Sequence, residues 1–155
     1  MEWSEWVEIE SAKERHERFN RLGIYQIRAI DYRSKPISIP RINATDRTGI
    51  IYFGRSGNKS QNSKRTIAKR LKEFLKPHHS GGQTYLVVKH VVRNNRKFRG
   101  LRLQVRAMIL SFKKISKAEQ NVIHKYLLDF GELPPCNSAI PGKKYLWRKY
   151  LLEEV

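Results

Sequence analysis

The sequence predicts a mixed α/β (α+β) fold, and two periodicities predict it. Alternation with period two runs over 23–30 and 100–111, as expected of strands with one buried face, and 49–54 reads as a further short strand. The segments 64–76 and 116–130 instead carry apolar residues three and four apart, as expected of helices with one buried stripe. A hydrophobic content of 39% with 10% aromatics over 155 residues is enough for one core. A single domain over 1–155 is therefore expected, with no internal repeat.

Residues 1–21 form an N-terminal arm and helix. The arm is acidic, and its Trp3 and Trp6 are expected to dock it on the core. Ser11 and Glu14 have capping-box spacing and predict a helix over 12–20. In the first strand, 23–30, Tyr25, Ile27 and Ala29 share a face. Residues 33–48, with Pro36, Pro40, Asn43 and Asp46, read as a long loop or loose hairpin. The second strand, 49–54, carries Tyr52. A polar loop, 55–63, leads into the helix at 64–76, which buries Ile67, Leu71 and Phe74. His78 to Gly82 then break that helix. Residues 84–97 suit a third helix, although their valines also suit a strand. The strand at 100–111 turns Leu101, Leu103, Val105, Ala107 and Ile109 one way and Arg102, Gln104 and Arg106 the other. Ser116 starts the last helix and Gly131 ends it, leaving an irregular C-terminal segment with 141–155 beyond the core.

Charge narrows the function. Thirty-two Lys and Arg face 14 Asp and Glu, for a net +18. Residues 1–17 hold six of those acids, while 18–117 hold 25 cations against only Asp31, Asp46 and Glu73. Such a density repels itself unless a polyanion is the partner, and a phosphate backbone is the usual one. A cationic surface kept for solubility or for acidic lipid is the alternative. No run approaches the ~20 apolar residues of a membrane span. The N-terminus does not resemble a secretion signal, and the lone Cys136 excludes an internal disulfide or a cysteine zinc site. A cytoplasmic protein is expected.

Three residues break the local pattern. Glu119 falls in the middle of the apolar stripe formed by Val122, Ile123, Tyr126, Leu127 and Phe130. A carboxylate there is paired, protonated or bound to metal, unless Ser116 and Glu119 form a capping box. Arg70 borders the buried stripe of its helix, where it either presents a fixed fork to a phosphate or snorkels to solvent. Asn137 follows Leu133-Pro134-Pro135-Cys136, either held for a purpose or simply in a turn.

Gly23-Ile24-Tyr25, Tyr52-Phe53-Gly54, Arg70, Glu119 and Asn137, in that order, resemble the GIY-YIG nuclease family over about 22–140. The run Gly131-Glu132-Leu133-Pro134-Pro135-Cys136-Asn137 is similar to the family's ending. Two spacings are longer than the family's, between the tripeptides and between Gly54 and Arg70, and the second leaves Arg65 as a rival arginine. The resemblance implies a three-stranded antiparallel sheet flanked by helices and a metal-dependent DNA endonuclease, of restriction or phage type. Glu119 would ligate one Mg²⁺ or Mn²⁺. Arg70 would hold the scissile phosphate, and Tyr25 or Tyr52 would orient or deprotonate the attacking water. Asn137 would position the phosphate or the metal's surroundings. His78 or His79 would assist proton transfer, with His78 nominated first; a solvated loop pair is the plainer reading.

Duplex DNA is the favoured partner, with a homodimer if both strands are cut. Arg55, Lys69, Arg93, Arg96, Lys97, Arg99, Arg102 and Arg106 would follow the backbone, and Arg41 and Arg47 would reach a groove from the 33–48 insertion. Neutralising about six phosphates gives a salt slope near −5 in log K. The competing readings are a non-catalytic protein that binds RNA or DNA and a scaffold in which Glu119 only caps its helix.

Overall fold

A computed structural model describes residues 2–14, 17–57, 65–76, 78–91, 94–95 and 100–147. Its centre is an antiparallel sheet of four strands in the order β1-β6-β2-β5, in which β1 is Val7–Glu8, β2 Gly23–Ile30, β5 Ile50–Arg55 and β6 Arg102–Ile109. The three predicted strands are there, and the fourth comes from the arm, where Val7 pairs Val105. Of the two readings of 33–48, loop or hairpin, the hairpin is there, as a separate antiparallel ribbon of β3 (Ile39–Pro40) and β4 (Thr45–Asp46).

The mixed α/β class follows from what covers the two faces. Tyr25, Ile27, Ala29, Tyr52, Leu103, Val105 and Ala107 turn to one side. There they meet α1 (Ile9–Glu14), a 3-10 turn at Glu17–Asn20, α2 (Ile67–Phe74) and α3 (Ser80–Val91). Ile67, Leu71 and Phe74 are completely buried, as the helical period requires. The other side takes α4 (Phe112–Phe130), which lays Ile115, Ile123 and Tyr126 against Ile24, Ile50 and Phe53. A short α5 (Lys143–Trp147) follows in the segment expected to be irregular.

Trp3 and Trp6 pack at the edges of this second core, so the arm does dock. They cover a polar checkerboard. Arg28 donates to Gln104 at 2.7 and 2.9 Å, and Arg106 donates to Gln26 at 2.7 Å. The guanidinium carbons of Arg28 and Arg106 lie 4.2 and 4.7 Å from the Trp6 ring centroid. The indole face and the Glu5 carboxylate together offset the mutual repulsion of the two cations.

Three helix starts differ from expectation. The first helix begins at Ile9, which puts Ser11 inside it. Helix α4 begins at Phe112 with Ser111 as its N-cap residue, so Ser116 is interior and Glu119 caps nothing. The break after α2 is there but shorter than expected, since α3 begins at Ser80 and takes in Gly81 and Gly82. A Cβ on Gly82 would lie 1.7 Å from the Phe74 carbonyl oxygen, so the close approach of α2 and α3 requires glycine there. At the far end of α4, Gly131 closes the helix at φ 77°, as predicted.

The ribbon is anchored rather than loose. Asp46 is fully buried and accepts from Thr48 N at 2.7 Å, the Thr48 hydroxyl, Ile50 N at 3.2 Å and Tyr126 Oη at 3.0 Å. Ile42 N donates to Glu132 Oε1, and Asn43 N to the Phe130 carbonyl. These bonds hold the ribbon at the C-terminal end of α4.

Candidate active site

Strand register brings the two predicted tyrosines together. Tyr25 stands opposite Gly54, and Tyr52 opposite Ile27, so Tyr25 and Tyr52 are diagonal neighbours on one face. Their ring centroids are 6.1 Å apart. Gly54 makes room for them, since a Cβ there would lie 2.5 Å from Tyr25 Cζ and 2.7 Å from Tyr52 Cε1. The Tyr25 hydroxyl is buried without a hydrogen-bond partner among the described residues. Burial pushes its pKa well above the ordinary phenol value, with the Tyr52 hydroxyl adding to the rise and Arg70 opposing it. Tyr52 is raised by burial as well, again opposed by Arg70. Glu119 acts on both phenols, which places all four groups in one electrostatic cluster.

Arg70 enters from α2, whose N-cap Thr66 accepts from Lys69 N. Its Nε donates to the Arg55 carbonyl at 3.2 Å, its Nη1 to Glu73 Oε2 at 2.6 Å, and its Nη2 lies 3.5 Å from His79 Nε2. Arg65 pairs with Glu73 as well, and it is Arg70 whose charge reaches the tyrosines.

The histidine of the cluster is His79; the nominated His78 is exposed. His79 Nε2 lies 3.4 Å from Tyr52 Oη, and its ring stands edge-on to Tyr52 with centroids 5.5 Å apart. Its carbonyl accepts from Gln83 N and its Nδ1 from Gly82 N–H at 3.3 Å, so His79 caps α3. An accepting Nδ1 assigns the ring proton to Nε2, directed at Tyr52. Burial, then the neighbouring Arg70 charge, lowers the His79 pKa, with Glu73 opposing.

Glu119 sits in the third turn of α4, its side chain 17% exposed and facing a cleft lined by Tyr52, Phe53, Ser80, Ile123 and Asn137. Burial raises its pKa, while Arg55 and Arg70 oppose the rise. Arg55 Nε lies 3.2 Å from Glu119 Oε2, and Oε1 has no partner among the described residues. No group of three or more His, Cys, Asp and Glu is assembled there among the described residues. One hard, half-open carboxylate still fits Mg²⁺ or Mn²⁺, which keep several waters and complete their shell with phosphate oxygens. Two guanidiniums beside it oppose a bare divalent cation, so occupancy would rise when phosphate enters.

Asn137 serves the scaffold. Its Oδ1 accepts from Phe53 N at 2.9 Å and its Nδ2 donates to Phe53 O at 3.0 Å, which occupies both ends of the amide. The amide thus clamps the C-terminal segment against β5, while the side chain lines the cleft beside Glu119 with one N–H of its Nδ2 beyond the Phe53 bond.

The nominated backbone-binding cations divide. Arg55, with its side chain 47% exposed, flanks Glu119, and Lys69 and Arg47 are exposed. Arg41 is only 11% exposed, pairs with Glu132 at 2.5 Å and donates to the Leu133 carbonyl, so it fastens the ribbon instead of reaching a groove. Arg102 is committed to Glu8 and Ser34, and Arg106 to Gln26 under the two tryptophans. Arg93, Arg96, Lys97 and Arg99 lie outside the described residues. Sequence reasoning missed Glu73, although an isolated acid in a basic stretch is itself a signal. It also missed Lys113, which lines a second groove beside Arg55 with Ser56, Gly57 and Phe112.

No helix among the described residues is long and apolar enough to cross a membrane. Comparison with family models, curated proteins and solved structures found nothing that matches the chain.

Proposed function

We propose that the chain is a divalent-metal-dependent DNA endonuclease of the GIY-YIG type, acting on phosphodiesters in duplex DNA. The observation that carries this reading is the convergence of Tyr25, Tyr52, Arg70 and Glu119, from two strands and two helices, into one mutually perturbing cluster at a cleft. The net charge of +18, with Arg55, Lys69 and Arg47 exposed, supplies non-specific affinity for a polyanion.

The residues divide the work by exposure and by hydrogen bonding. Arg70 Nη2, the guanidinium edge held by neither Glu73 nor the Arg55 carbonyl, would hold a non-bridging phosphate oxygen, offsetting charge as it grows there. Tyr52 lines the cleft, whereas Tyr25 is fully buried behind it. Tyr52 is therefore the better placed to orient the attacking water through its hydroxyl; burial raises its pKa and keeps it a phenol, and taking the water's proton would need the Arg70 charge, which opposes that rise. A bond would form from water oxygen to phosphorus as the bond to the leaving oxygen breaks, the departing alkoxide taking its proton from solvent water, with Tyr25 packed behind Tyr52. Glu119 Oε1 would ligate the metal, which supplies Lewis-acid stabilisation of phosphate charge when bound.

The Arg55–Glu119 ion pair favours a second reading, a non-catalytic nucleic-acid-binding protein in which the carboxylate only anchors Arg55. Supercoiled plasmid incubated with Mg²⁺ or EDTA separates the two. Metal-dependent cleavage that is lost in Glu119→Gln supports the nuclease. A gel shift without cleavage on plasmid, branched DNA and RNA refutes it.

A further inference from the structure

Glu73 has no place in that chemistry, yet it is one of only three acids in residues 18–117. Its Oε1 accepts from Arg65 Nε at 3.0 Å, and its Oε2 accepts from Arg70 Nη1 at 2.6 Å. Arg70 Nε is fixed separately by the Arg55 carbonyl at the end of β5. A guanidinium is planar, so two N–H directions tied to acceptors on different elements define its plane. Nη2 is then the edge left to face His79 and the tyrosines.

We propose that Glu73 is a positioning residue, which sets the plane in which Arg70 meets the substrate phosphate, with Arg65 holding Glu73 in turn. This rests on the nuclease reading of the site. Two simpler roles compete with it. Glu73 at i,i+3 from Arg70 could only support α2, or it could only be a negative charge that repels phosphate.

The three roles predict different signs for Glu73→Gln, which keeps the side-chain shape and removes the charge. Duplex Kd is measured in EDTA, and kcat on the same duplex in Mg²⁺. A positioning role predicts that kcat falls about 10–100-fold while Kd stays level or tightens, because a negative charge has left a phosphate site. A repulsive role predicts that binding and cleavage both improve. A purely structural role predicts a lower melting temperature with unchanged kcat for the folded fraction. Glu73→Asp, which keeps the charge on a shorter arm, should recover part of the rate.

A readout independent of cleavage is the resonance of the Arg70 Nη1–H that donates to Glu73, assigned with Arg70→Lys. It should be protected from solvent exchange in the wild type and lose that protection in Glu73→Gln. If the wild type fails to cut while the resonance behaves as stated, the nuclease reading falls and the positioning of Arg70 stands. A protected resonance or a wild-type rate in Glu73→Gln overturns the proposal.

Discussion

Replacing Gly54 by alanine tests whether the site depends on two tyrosine rings sharing one missing side chain. The backbone at Gly54 has no positive φ, so alanine meets no conformational barrier there. The obstacle is contact. The new methyl would lie 2.5 Å from Tyr25 Cζ, 2.6 Å from its hydroxyl and 2.7 Å from Tyr52 Cε1. Carbon atoms prefer ~3.5–4.0 Å, so both rings must retreat by roughly 1 Å. Tyr25 is fully enclosed, and Tyr52 is backed by Phe74 and His79 at centroid distances of 5.0 and 5.5 Å. Overpacking of that kind costs about 1–3 kcal/mol, partly offset by the ~0.5–1 kcal/mol that alanine gains over glycine in a strand. At ~2–4 °C per kcal/mol for a domain of this size, melting should fall by several degrees. Displacing Tyr52 from His79 should also lower cleavage at 25 °C, where the variant is still folded, by more than about tenfold. Circular dichroism melts and plasmid cleavage read the two effects. A Gly54→Ala protein that melts and cuts like the wild type would refute the shared-space argument.

Glu119→Gln should fold and lose metal-dependent cleavage. A carboxyl whose folded pKa is raised destabilises the fold when ionised, and that cost vanishes as pH falls through the raised value toward 4.5. The variant should therefore match or exceed wild-type stability at neutral pH, with an advantage that shrinks on acidification; urea midpoints across pH measure it. Trp6→Ala removes the cover over Arg28 and Arg106 and should cost about 2 kcal/mol while metal-dependent cleavage persists, so an unchanged midpoint would contradict the cation–π account. Asp46→Asn places an amide NH₂ where only donors converge, and should cost about 2–3 kcal/mol with faster hydrogen exchange in the ribbon.

Elements with a clean period were legible in the sequence. Tyr25, Ile27 and Ala29 share a buried face, α2 buries the three predicted apolar residues, and Glu119 does interrupt an apolar stripe. Strand β1 was not legible, because two residues carry no alternation. The start of α4 was misplaced because Ser116 mimics a cap, while Ser111 and four further helical residues precede it. Gly81 and Gly82 read as a break until packing is known; a Cβ on Gly81 would lie 2.6 Å from the Cys136 carbonyl oxygen. Adjacent histidines cannot be told apart in sequence, since the start of α3 decides which one faces Tyr52. Cations such as Arg41 and Arg106 look alike whether paired or free. The three scarce acids were the overlooked clue, because each holds something: Asp31 accepts from two turn amides, Asp46 anchors the ribbon and Glu73 grips two arginines.

Strand β5 ends the sheet, and an open sheet margin is where a foreign chain can add itself as the next strand. This margin is filled residue by residue. The Ile51 carbonyl accepts from Cys136 N, both backbone groups of Phe53 are taken by the Asn137 amide, and the Arg55 carbonyl accepts from Arg70 Nε. Side chains and a proline-stiffened tail thus do the work of a missing strand without presenting a fresh margin of their own. Protection from fibre-like self-addition and preparation of the cleft are therefore one construction. Substitution of Asn137 would register first as a solubility defect at high concentration, before any change at the tyrosines.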